Sequence, residues 1–76
     1  MNTAIVKNFD GQPVTVKIGD WVGFKSDYEQ SGQITKIERH EWSGQIMLTL
    51  EDKNGFGGDY LRYATVTTEF ASDCWV

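Results

Sequence analysis

Apolar residues in this chain recur at every second position in short runs, and nowhere do they keep a helical spacing long enough for a long helix. Val14, Val16 and Ile18 fall on one face of such a run, with Thr15 and Lys17 on the other. Ile46, Leu48 and Leu50 alternate with Met47 and Thr49 in the same way. A strand sends successive side chains to opposite faces, so this pattern predicts strands with one buried side. The runs are separated by Gly, Asn, Asp and Ser, which accept the backbone angles of tight turns. The fold class this predicts is all-β.

The other runs fit the same grammar. Ala4 to Phe9 makes a first strand, closed by Asp10-Gly11-Gln12-Pro13, where Pro13 bars continued central pairing. Gly19-Asp20 precedes Trp21 to Lys25, in which Val22 and Phe24 share a face, and the polar stretch Ser26 to Ser31 predicts a loop. Ile34 and Ile37 have a spacing that fits a bulge, a sharp coil or one helical turn. Glu38 to Gly44 reads as a polar connection, and Asp52-Lys53-Asn54-Gly55 as the turn that ends the strand containing Leu48. Asp59 to Ala64 predicts one short helical turn capped by Asp59. Thr65 to Phe70 predicts a strand with Val66 and Phe70 on one face, and Cys74-Trp75-Val76 an apolar end that pairs back. Five or six short strands in residues 1–76 predict a single closed or nearly closed barrel, because closure removes exposed sheet edges.

Composition narrows the class further. The chain has 76 residues, room for one core, and 13% of them are aromatic, which helps a small core because each ring buries a large area. Cys74 is the only cysteine, which excludes a disulfide scaffold, and no apolar run is long enough to span a bilayer. Acidic residues outnumber basic ones, 11 to 7, the reverse of the balance by which phosphate-binding modules gain affinity. The first residues lack the basic start and apolar stretch of a signal peptide, and a lone cysteine fits a reducing compartment, so the expected location is cytoplasmic.

Gly19-Asp20-Trp21-Val22-Gly23-Phe24, a polar loop through Gln30-Ser31, and Gly32-Gln33-Ile34-Thr35-Lys36-Ile37 together resemble the opening of SH3-like barrels of the KOW and Tudor-related kind. The apolar strand Gln45 to Glu51 continues the likeness, which runs over roughly Gly19 to Asp52. The resemblance implies a five-stranded, strongly bent barrel that binds protein or nucleic acid, with no catalytic set. Two departures stand out: KOW modules that bind RNA are generally basic, and this chain has one or two extra strands before Gly19. The compact acidic chain also resembles small accessory proteins of bacteriophages, which implies action on a larger host or viral protein.

No constellation of catalytic residues is visible. Cys74 and His40 alone cannot supply the ligands of a structural zinc site in a monomer, and a calcium loop from Asp52 fails because Phe56 and Tyr63 stand where oxygen donors belong. Gly55-Phe56-Gly57-Gly58 lacks the spacing of a phosphate loop and reads as a turn that folds Phe56 onto the barrel. Neither an enzymatic site, a metal nor a cofactor is expected.

The aromatic residues carry more information. Phe9, Phe24, Phe56 and Phe70 are expected in the core. Trp21 lies opposite Val22 and Phe24, either covering a second face against the N-terminal hairpin or exposed, and Trp75 is open in the same way. Tyr28 and Trp42 lie in polar segments, so an interaction surface of Tyr28 and Trp42 flanked by Trp21 and Tyr60 is the leading expectation for a protein-binding module. Tyr28, Trp42 and Tyr60 with Asp59 could also form a cage for a cation. The alternative is a nucleic-acid surface built from Lys25, Lys36, Arg39 and Lys53. A monomer or weak homodimer is the expected state.

Overall fold

The computed structural model describes residues 1–76 and contains six strands: β1 (Thr3–Lys7), β2 (Pro13–Lys17), β3 (Trp21–Ser26), β4 (Tyr28–Arg39), β5 (Ile46–Glu51) and β6 (Val66–Phe70). A single 3-10 turn, Ala71–Asp73, follows them. All pairings between strands are antiparallel: β1 with β2, and β3-β4-β5-β6 in order. The all-β expectation therefore holds, with two corrections. No barrel closes: the β1–β2 hairpin packs on the four-stranded sheet through the core, but no continuous ladder joins them, only single-residue bridges from Trp75 to Lys7 and to Gly23. Nor is Asp59 to Ala64 a capped helix; Arg62 N–H bonds the Gly58 carbonyl in one turn, and Arg62 and Tyr63 then take positive φ, which ends it.

Alternation places most of the core where the sequence puts it, with the exception of Ile18, which lies past the end of β2 and is exposed. Ala4, Val6, Val16, Val22, Phe24, Ile34, Ile37, Leu48, Leu50 and Phe56 form one buried cluster with Ala71 and Cys74. The odd spacing of Ile34 and Ile37 resolves as a bulge: the β4–β5 register slips between Ile34 and Lys36, so both isoleucines face inward. Phe24 and Phe56 meet edge to face with centroids 5.2 Å apart. The C-terminal residues do pair back, with Gly23 and Trp75 exchanging backbone bonds of 2.7 and 3.0 Å.

Two phenylalanines depart from expectation. Phe9 is 93% exposed, because Asn8 Oδ1 accepts the N–H groups of Asp10 and Gln12 and closes the turn with Phe9 at its tip. Phe70 is half-buried, since Glu69 and Thr67 stand opposite Leu48 and Leu50, leaving Val66 and Phe70 on the outer face of the sheet. Ser26 to Ser31 is also no loop. The chain reverses at Asp27, whose φ is 64°, and Ser26 already pairs with Tyr28.

Burial also decides the chemistry of Cys74. Its thiol pKa is pushed up to about 12, chiefly by burial and then by the charges of Glu69 and Asp73. In the native protein it should resist iodoacetamide at mildly alkaline pH and react only as the chain opens. An unfolded thiol ionises near 9, so the contribution of this group to stability is complete below that pH and lost as pH rises toward 12. Fast modification of the folded protein, at the rate of a free thiol, would contradict this burial.

Candidate functional site

The turn around Asn8, the start of β3 and the last two residues converge on one surface. Gly23 makes this possible. A Cβ there would collide with Nε1 of the Trp75 indole, so only a glycine lets the ring lie against the strand. Ser31, a small residue, pairs opposite Gly23, and Trp21 stands two positions along β3 on the same face. The outcome is a depression of about 340 Å³ bordered by Phe9, Trp21, Trp75 and Val76, with Glu29 and Gln30 on its polar side. Trp21 is 53% exposed, Trp75 is half-buried, and the ring of Phe9 is almost wholly in solvent. Trp21 is thus not a core residue packed against the N-terminal hairpin. It is also the ridge between this groove and a second depression that contains Glu51, Asp52 and Lys53.

Tyr28 and Tyr60 lie elsewhere, on the β3–β4 hairpin and the glycine loop that docks against its tip. At the tip of the β3–β4 hairpin, Asp27 Oδ2 accepts the Tyr60 N–H at 3.0 Å, so the carboxylate that caps the turn after Gly58 is Asp27 and not Asp59. The Tyr28 hydroxyl lies against Gly57, where any Cβ would displace it. Gln30 completes the latch: its Oε1 accepts the Gly57 N–H at 2.8 Å, while its Nε2 donates to the carbonyls of Gly57 and Ser26, both at 3.0 Å. One side chain thereby pairs a loop with a hairpin as a strand would. Replacing Gln30 with Ala leaves part-buried Gly57 groups unpaired and should cost about 2 kcal/mol in urea unfolding. A change below about 0.5 kcal/mol would mean that solvent or a neighbour replaces all three bonds.

Trp42 stands apart from both groups. It lies in the connection after β4, 90% exposed, beside a depression bordered by Glu38, Arg39, Glu41 and Met47. Tyr28 begins β4 and Trp42 follows its end, so Tyr28, Trp42 and Tyr60 with Asp59 do not surround one point. The loop that carries Trp42 is held by His40, whose Nδ1 accepts the Ser43 N–H at 3.3 Å and lies 3.1 Å from Ser43 Oγ. Ser43 Oγ in turn accepts the Gln45 N–H. These contacts fold the turn, and no carboxylate is bonded to the other ring nitrogen.

The four basic residues of the nucleic-acid alternative do not merge into a stripe. Lys25 pairs across from Glu29, Lys36 contacts Glu38 at 3.5 Å, Arg39 shares its depression with Glu38 and Glu41, and Lys53 shares one with Glu51 and Asp52. Each cation has acidic neighbours that oppose a phosphate. No three His, Cys, Asp or Glu side chains gather as metal ligands, and no helix is long and apolar enough to cross a membrane.

No protein-family model, curated protein or solved structure matches this chain.

Sequence reasoning found Trp21 but not its neighbours. Phe9 was hidden because it continues the apolar run of β1, yet its place directly before Asp10-Gly11 is a turn tip. Trp75 and Val76 join the groove only through long-range pairing, for which the spacing of residues holds no local signal.

Proposed function

We propose that this protein is a small SH3-like, non-enzymatic binding module that engages a partner protein through the groove bordered by Phe9, Trp21 and Trp75. The observation that supports this most is the convergence of three aromatic rings on one depression over Gly23 and Ser31. Aromatic side chains offer large contact area for little conformational entropy and are enriched at interaction hot spots. Glu29 gives the same groove a polar lip that can orient an incoming segment. The distribution of charge argues against a nucleic-acid partner, since acidic groups neighbour every candidate phosphate contact. Action as an accessory factor on a larger protein is the biological role that fits a module of this size.

The test is capture of partners from an extract of the source cells by tagged protein, with and without nuclease. Proteins retained after nuclease treatment, and lost with Trp21→Ala but kept with Trp42→Ala, would support the assignment. Binding of a short oligonucleotide that falls steeply as salt rises would favour the alternative instead.

A further inference from the structure

Most strand edges in this fold are closed by a specific device. On β2, Pro13 has no outward N–H to give, and Asp20 takes both outward groups of Lys17. Its Oδ2 accepts the Lys17 N–H at 2.9 Å, and its own N–H donates to the Lys17 carbonyl at 3.0 Å. The C-terminal segment lies along β1, bridging Lys7 through Trp75 and bonding its carbonyl through the Val76 N–H. Trp75 also takes both outward groups of Gly23 on β3, and Lys25 follows there, a charged residue of the kind that guards strand edges. The second half of β4 is met by Gly19 and Asp20 at Ile34 and by the Met1 ammonium at the Ile37 carbonyl.

β6 has no such device. The Asp52 N–H bonds the Thr65 carbonyl at 3.0 Å, one step beyond the register pair Glu51 and Val66. Bonded and unbonded pairs alternate along an antiparallel ladder, so Thr67 and Glu69 bond toward β5. Val66 and Thr68 then direct N–H and C=O away from it, and Phe70 its N–H. β5 is the only strand partner of β6, and no turn or loop bond reaches these outward groups. Val66 and Thr68 are exposed, and the strand contains neither Pro nor Lys.

The order of side chains selects the occupant. Val66-Thr67-Thr68-Glu69-Phe70 is balanced about Thr68, with an apolar residue at each end and a donor and an acceptor between. We propose that β6 pairs antiparallel with β6 of a second copy of this chain, about a two-fold axis at Thr68. The two four-stranded sheets then become one, through the same strand on both copies. In that register Thr68 exchanges both backbone bonds with Thr68 of the other copy, and each Phe70 N–H donates to the other Val66 carbonyl. Val66 lies opposite Phe70, a β-branched and aromatic pair that favours strand pairing. Thr67 lies opposite Glu69, so its hydroxyl, 2.8 Å from its own Glu69 Oε2, gains a second carboxylate to face. A slip that sets Phe70 against Thr68 would instead put the two Glu69 carboxylates directly opposite each other, which like charge disfavours. No residue of β6 borders the aromatic groove, so each surface can fail without the other.

The experiment is sedimentation equilibrium of the full chain at rising concentration, with amide exchange read by NMR on the same samples. The average mass should climb toward that of two chains as concentration nears about 1 mM, the range in which a small edge contact forms. Exchange at Thr68 and Phe70 should slow as the mass climbs, while Thr67 and Glu69, already bonded to β5, stay protected throughout. Thr68→Pro deletes an outward N–H and leaves the β5 ladder intact, so it should abolish the association. Thr68→Lys sets like charges on the axis and should weaken it by about tenfold. If the proline variant unfolds, the lysine variant alone decides. Trp21→Ala should leave the association unchanged. The mass of one chain at every concentration overturns the proposal. So does an association that survives these changes at Thr68, or one that is lost with Trp21→Ala, since either places the contact on another surface.

Discussion

Phe56→Ala is expected to leave the protein largely unfolded at room temperature, with far-UV circular dichroism losing its β signal and the urea transition moving close to zero denaturant. Phe56 is fully buried, sits edge to face with Phe24, and anchors its loop, its N–H bonding the Ala64 carbonyl and its carbonyl accepting the Tyr63 N–H. Removing such a ring from a core costs about 3–5 kcal/mol, from the lost transfer energy and the cavity left behind. A domain this small holds a net stability near the lower end of about 5–15 kcal/mol, so the loss consumes most of it. Gly32 makes the contact tight: a Cβ there would come within 2.8 Å of Leu50 Cβ and 3.1 Å of Phe56 Cζ, so the surroundings have little slack. A cooperative transition displaced by less than about 1 kcal/mol would show instead that the glycine loop docks weakly and that Phe56 does not hold it.

Trp21→Ala should behave in the opposite manner, with the fold retained and the partner lost. Trp21 is 53% exposed and belongs to no part of the buried cluster, so its removal should change stability by no more than about 1 kcal/mol. Partner affinity should fall by about thirtyfold, equivalent to roughly 2 kcal/mol, because a central tryptophan in an aromatic groove is a typical hot spot. Trp42→Ala is the matched comparison. That ring is 90% exposed yet faces a depression flanked by Glu38 and Glu41, with only the His40 imidazole as a second ring on its border. Equal losses from both variants would mean that the interaction surface spans the sheet; a loss from Trp42→Ala alone would move the site to the β4–β5 connection.

Much of the framework could be read from the chain, for reasons visible in particular residues. β2 and β5 announce themselves because one face is buried and period two survives in the residue types. β4 was legible only in its second half. Its start, Tyr28-Glu29-Gln30-Ser31, looks like a loop because Gln30 aims its amide at Gly57 rather than at solvent, a use of a polar residue that local pattern cannot reveal. β6 misled for the reverse reason. Its apolar residues Val66 and Phe70 lie on the outer face, while Thr67 donates to Glu69 Oε2 at 2.8 Å on the face aligned with Leu48 and Leu50. Closure failed as an expectation because the segment between β6 and the C-terminus forms a 3-10 turn and only a one-residue bridge, too short to zip the two sheets together.

The candidate site was legible in part, and the division follows sequence distance. Trp21 is marked by its own strand, where it opposes Val22 and Phe24. Phe9 and Trp75 reach it across the fold, and the need for Gly23 becomes clear only when the Trp75 indole is seen against it. The docking of the glycine loop on the β3–β4 hairpin depends likewise on Asp27 reaching the Tyr60 N–H across 33 positions in sequence.

The chain contains 3 tryptophans, and their indole N–H signals give three separate reporters in one NMR spectrum. Titration with a partner recovered after nuclease treatment is the most direct measurement. Signals of Trp21 and Trp75 should move together while that of Trp42 stays in place. Movement of Trp42 with Trp21 and Trp75 unchanged would contradict a groove built on Gly23 as the place where this protein meets its partner.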